Sequence, residues 1–169
     1  MFLSLLVILS VLAFSQEAYC MDANTKLLLH LDTDFSDSAG HSVNPIGDVA
    51  IESGAGPFGG HAQFDGGRLT VPHDTAWNFA GNFTIDWRMS VDTDHTFRLV
   101  DRVNGGSQVI LQHQAGGTWY FQAYANGSLV LNAQFPWQPS PGEKHFELSR
   151  AGTAFRFFVE GQQVGATIQ

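Results

Sequence analysis

Large apolar side chains recur at every second position in short runs, and glycine breaks each run before a helical period can develop. The clearest run is Phe83, Ile85, Trp87, Met89 and Val91, alternating with Thr84, Asp86, Arg88, Ser90 and Asp92. Successive side chains of a strand point to opposite faces, so this spacing hides one face and wets the other. Leu27/Leu29/Leu31, Phe97/Leu99, Val109/Leu111, Trp119/Phe121/Ala123, Phe146/Leu148 and Phe155/Phe157/Val159 repeat the pattern. Between them fall Ser38-Ala39-Gly40, Gly59-Gly60, Gly66-Gly67, Asn104-Gly105-Gly106, Gly116-Gly117, Asn126-Gly127 and Pro139-Ser140-Pro141-Gly142. Runs spaced by about 8 to 12 residues, with no helical stretch among them, predict an all-β fold, an antiparallel sandwich or barrel.

The punctuation also orders the strands. A type I′ turn needs φ > 0 at both central residues, which suits Gly116-Gly117 and Asn126-Gly127. These turns would chain residues 109–113, 118–124 and 128–134 into a meander. A further hairpin is expected over 144–150 and 153–160, with another strand running from Gly161 to the terminus. Nothing reads as a linker, so residues 21–169 are expected to form one domain, and a 44% apolar composition over 169 residues is enough to fill its core. Sixteen acidic against eight basic residues give a formal charge of −8, which opposes docking on a phosphate backbone. No nucleic-acid partner is expected.

Cys20 is the only cysteine, so neither an intrachain disulfide nor a cysteine-type zinc site can brace the chain. Residues 2–14 form an apolar run too short to span a membrane and of the length of a secretory h-region. Residues 1–20 are therefore expected to be a signal peptide, cleaved after Ser15 or Cys20, although no Lys or Arg precedes the run. The other reading takes Met21 as the true start. The first reading predicts a secreted protein with no membrane span.

Several segments, in order, resemble a known family. They are Leu27-Leu28-Leu29-His30-Leu31-Asp32 with Phe35-Ser36-Asp37-Ser38-Ala39-Gly40, then Phe58-Gly59-Gly60-His61-Ala62-Gln63-Phe64-Asp65-Gly66, Leu69-Thr70-Val71-Pro72 and Phe83-Thr84-Ile85-Asp86-Trp87. The late Phe155-Arg156-Phe157-Phe158-Val159-Glu160-Gly161 completes the series. Together they resemble the laminin G-like branch of the concanavalin A-like lectin/glucanase superfamily. That resemblance implies a jelly-roll of two packed antiparallel sheets, used mainly as an extracellular binding module. Such domains close with a Gly-containing strand carrying an acidic pair, and this sequence reaches Gln169 without one. The expectation is a sandwich lacking its last strand: either the sequence is truncated or an edge stays open, and an open edge invites self-association.

Catalysis is not expected. Hydrolases of this superfamily set Glu-x-Asp-x-x-Glu on one strand, because a retaining mechanism holds two carboxyls about 5 to 5.5 Å apart. No such motif occurs, Arg88 stands where a second acid would be needed, and no Gly-x-Ser-x-Gly elbow is present. The seven histidines include no His-x-His or His-Glu-x-x-His spacing.

Two constellations remain. Asp32, Asp34 and Asp37 form a hard-oxygen cluster of the kind Ca²⁺ accepts, and the family resemblance implies calcium at a rim. Against this stands the simpler reading of Asp37 and Ser38 as turn residues bonded to the local backbone. Sugar recognition needs flat apolar faces flanked by planar polar groups. With Trp119 and Phe121 inward, Tyr120, Gln122 and Tyr124 point the other way, as do Arg156 and Phe158 beside Phe155 and Phe157. With Trp137 in its Pro-rich loop, these six are the expected ligand-binding residues. The competing account makes them a second small core. Sequons at Asn82 and Asn126 discriminate nothing without a source. The expected function is a non-catalytic extracellular module binding carbohydrate or a glycosylated partner. The alternatives are an adhesion unit of a viral tail or cell-surface fibre, placed on a virion surface in the first case, and a glycan hydrolase or lyase.

Overall fold

A computed structural model describes residues 21–54, 59–74, 77, 79–90 and 95–169. The predicted signal peptide lies outside these residues, as do Phe58, Val91 and Asp92 of the sequence motifs. The described residues form twelve strands and no helix, and all strand pairs are antiparallel, as the alternation predicts. No helix among them is long and apolar enough to cross a membrane. The chain divides after Ala76 into two compact units.

In the first unit β1 (Asn44–Ile46) pairs with β4 (Arg68–Thr70), and β2 (Val49–Ser53) pairs with β3 (Gly60–Phe64). The strand expected over Leu27, Leu29 and Leu31 shrinks to a single bridge between Leu29 and Asp37. Leu31 has φ 58°, a left-handed conformation that ends extension and turns the chain. Gly60 is required where it stands, since a Cβ there would run into the Asp32 carbonyl.

The second unit holds two four-stranded sheets. One has the order β12-β11-β10-β5, from β5 (Phe83–Ser90), β10 (Glu143–Ala151), β11 (Ala154–Val159) and β12 (Gln162–Ile168). The other is the predicted meander, β6 (Phe97–Asn104), β7 (Ser107–Gln114), β8 (Thr118–Ala125) and β9 (Ser128–Pro136). Asn126 and Gly127, at φ 49° and 76°, make the β8–β9 turn that the Asn-Gly pair predicts.

Apolar side chains from both sheets meet in one core. Leu111, Trp119, Ala133 and Phe135 of the meander face Phe146, Leu148 and Phe157, all fully buried, with Phe121 at 2%. The rings pack in the offset and edge arrangements their quadrupoles favour: Trp87 stacks on Phe146 at 5.4 Å and meets Trp119 edge-on at 5.2 Å. Phe135 stacks on Phe157 at 5.4 Å. The strands of this unit therefore turn one face to the core, and the opposite face is left for other uses.

Candidate functional site

The register of the meander fixes which side chains share its outward face. Arg98, Gln112, Tyr120 and Gln134 lie abreast across β6, β7, β8 and β9. Asp101, Ile110, Gln122 and Asn132 form the next row, and Val103, Gln108, Tyr124 and Leu129 the third, where a bulge shifts β9. The only charged residues in these three rows are Arg98 and Asp101, and their side chains bond each other.

The amides are tied into a lattice. Gln112 Nε2 donates to Gln122 Oε1 at 3.4 Å, and Gln122 Nε2 donates to Asn132 Oδ1 at 3.1 Å. Tyr124 Oη reaches Gln122 Oε1 at 3.5 Å. Gln108 Nε2 donates to Asp101 Oδ1 at 2.7 Å, which fixes that amide. Ile110 and Gln112 are buried at the centre of the face, at 4% and 8% exposure. Hydrogen-bonded neighbours hold these groups in place before any ligand arrives, and each amide keeps both donor and acceptor character.

At the turn end of this face is an open depression of about 460 Å³, lined among others by Arg98, Val103, Gly106, Gln108, Ile110 and Tyr124. Among the described residues of 77–169 the exposed large hydrophobics are Val103, Leu129 and Val130, and all three lie at that end of β6 and β9.

The outward face of the other sheet differs in kind. Asp86, Arg88, Glu143, His145 and Glu147 alternate acidic and basic along β5 and β10. His145 Nε2 donates to Asp86 Oδ1 at 2.8 Å, and Arg88 stands 3.6 Å from Glu143. Asp86 and Glu147 are directly opposite one another, but His145 already occupies Asp86. Ion pairs running diagonally between neighbouring strands are the ordinary dress of a solvated face.

The six expected ligand residues are thus divided. Tyr120, Gln122 and Tyr124 come together on the meander's outward face. Arg156 and Phe158 sit on the outward face of the other sheet, pairing with Ser149 and Glu147. Trp137 packs edge-on against Phe146 at 4.9 Å and lies against the core. Gln108, Ile110, Gln112, Asn132 and Gln134 join the site without having been singled out in the sequence. Their signal was alternation: Gln108, Ile110 and Gln112 interleave with Val109, Leu111 and His113 on β7, and Asn132 and Gln134 with Leu131, Ala133 and Phe135 on β9.

The three aspartates also separate. The Asp37 carboxylate is fully buried and accepts from the backbone N–H groups of Leu28 (2.7 Å), Ala39 (3.0 Å) and His41 (3.1 Å), and from His41 Nδ1 (2.6 Å). Burial alone would raise its pKa, but these four donors outweigh burial and hold it below the ordinary value. Asp34 accepts from the Ser36 N–H at 2.7 Å, and the Ser36 hydroxyl and N–H lower its pKa. Both are turn carboxylates bonded to their own backbone. Among the described residues, no three His, Cys, Asp or Glu side chains gather as metal ligands would.

No family model, curated protein or solved structure matches the chain.

Proposed function

We propose that this chain is a secreted, non-catalytic binding module that takes carbohydrate, free or carried on a glycoprotein, on the outward face of the β6–β9 sheet. One observation carries the reading: on that face Gln112, Gln122, Asn132 and Tyr124 form a hydrogen-bonded lattice beside a single, mutually satisfied ion pair. Sugar hydroxyls are donors and acceptors at once, as amides are, and the tyrosine rings offer flat surfaces to sugar C–H groups. The ordered motifs that resemble laminin G-like domains support the same class of function and a jelly-roll ancestry. Calorimetric titration of the oligosaccharides retained from a glycan array tests the proposal. Tyr124→Ala and Gln122→Ala are each expected to weaken binding by about tenfold, the loss of one ring contact or one paired amide, and Phe158→Ala is expected to leave it unchanged.

A second reading, the adhesion unit, draws on Val103 and Leu129, which expose apolar surface on the two edge strands of the meander. It predicts no glycan signal and a sedimentation coefficient that rises with protein concentration. Turnover of a retained glycan would favour the hydrolase or lyase instead.

A further inference from the structure

We infer that a slot at one end of the core, between the two four-stranded sheets of residues 77–169, binds a small amphipathic anion, one with a single anionic head and a hydrocarbon body. The slot lies behind the amide face rather than on it, so this ligand is separate from the glycan. On β6 and β10 the side chains that face the core are apolar until arginine replaces them near the strand end: Val100 is followed by Arg102, and Phe146 and Leu148 by Arg150. Arg102 lies abreast of Val109, Ala123 and Leu131, one inward row of the meander, and this row lines a slot of about 230 Å³. Phe121 of the next row and Phe79, edge-on to each other at 6.2 Å, line it too, with Ala80 and Arg150.

Two arginines at such positions have a plainer account, in which their stems cover the end of the core and their heads reach into water. Arg150 is held differently. Its Nε donates to the Gly152 carbonyl at 2.9 Å and its Nη1 to the carbonyls of Phe79 and Ala80 at 2.8 and 3.0 Å, and the guanidinium carbon stands 5.2 Å from the centroid of the Phe155 ring. Three acceptors fix the plane of the fork and leave Nη2 to donate. None of the three is an anion, and among the described residues no carboxylate pairs with Arg150 or lines the slot. A guanidinium so fixed offers a charge-assisted hydrogen bond to an incoming anion. The lining selects the rest of the ligand. Its other residues, Arg102 apart, are apolar, so an inorganic anion leaves that surface without a partner, and an amine meets two cations. An anion with a hydrocarbon body satisfies both, its head at the arginines and its chain along Val109, Phe121, Ala123 and Leu131. A space of about 150 Å³ admits a benzene ring, so this slot takes a body of about eight carbons.

The test is calorimetric titration of the whole chain with octanoate, far below its micelle concentration, beside octanol, octylamine and acetate. Octanoate is expected to bind about tenfold to a hundredfold tighter than octanol, the range of one charge-assisted hydrogen bond, and octylamine and acetate are expected to give no binding. Ala123→Leu fills the slot and is expected to abolish octanoate binding while the melting temperature of the free chain holds. Arg102→Gln leaves the carbonyl bonds of Arg150 in place and is expected to weaken octanoate without weakening octanol; if Ala123→Leu does not fold, this variant carries the decision. Absence of octanoate binding, equal affinity for octanol, binding of acetate, or an octanoate affinity that survives these substitutions overturns the inference and leaves two arginines that only close the end of the core. The carbohydrate reading is untouched by any of these results.

Discussion

Asp37 carries more polar order than any other side chain in residues 21–76, because one buried carboxylate satisfies three backbone N–H groups and an imidazole. Asp37→Asn keeps the size but turns an amide N–H₂ toward donors, and the expected loss is about 1 to 3 kcal/mol in denaturant titration. The pH dependence has a definite sign. A carboxylate whose folded pKa lies below its unfolded value binds fewer protons when folded, so its contribution is complete above about pH 4 and is lost as pH falls through the folded pKa. The acid-induced drop in melting temperature below that pH is expected to be smaller in Asp37→Asn than in the native chain. The three aspartates look equivalent as letters. What separates them is which backbone N–H groups the fold directs at each, and spacing along a sequence holds no information about that.

Strand parity is the property of the elements that the sequence revealed best. Trp119 and Phe121 face the core and Tyr120 and Gln122 face outward, as period-two alternation requires. On β11 the neighbouring phenylalanines should therefore differ sharply. Phe157→Ala is expected to cost about 3 to 5 kcal/mol, a large cavity in a packed core, whereas Phe158→Ala should cost less than about 1 kcal/mol. Equal losses in urea midpoints would show that the register is wrong. Alternation could not reveal which outward faces would be neighbours. Arg156 and Phe158 have the same parity as Tyr120 and Tyr124 yet belong to the other sheet, and that depends on pairing between distant segments. Likewise the Leu27/Leu29/Leu31 run has strand spacing, but the backbone at Leu31 turns away and leaves one bridge.

Across the whole molecule, buried apolar side chains come only from residues 77–169 among the described residues. Among the described residues of 21–76 the buried positions are Asp37 and Gly60, while Leu27, Ile46 and Phe64 stay exposed at 42%, 42% and 49%. A polypeptide of residues 77–169 is accordingly expected to unfold in a single cooperative thermal transition, and one of residues 21–76 to show none; scanning calorimetry of the two distinguishes them. Composition counts apolar residues without saying which of them a second layer covers, and Phe64 stays 49% exposed. The packing of Trp87, Trp119 and Trp137 against the core has a practical result for anyone following this protein in solution. Their emission will report melting of the interior without a label. A ligand settling on the amide lattice meets tyrosines instead, so a silent indole signal during a titration should not be taken for lack of binding.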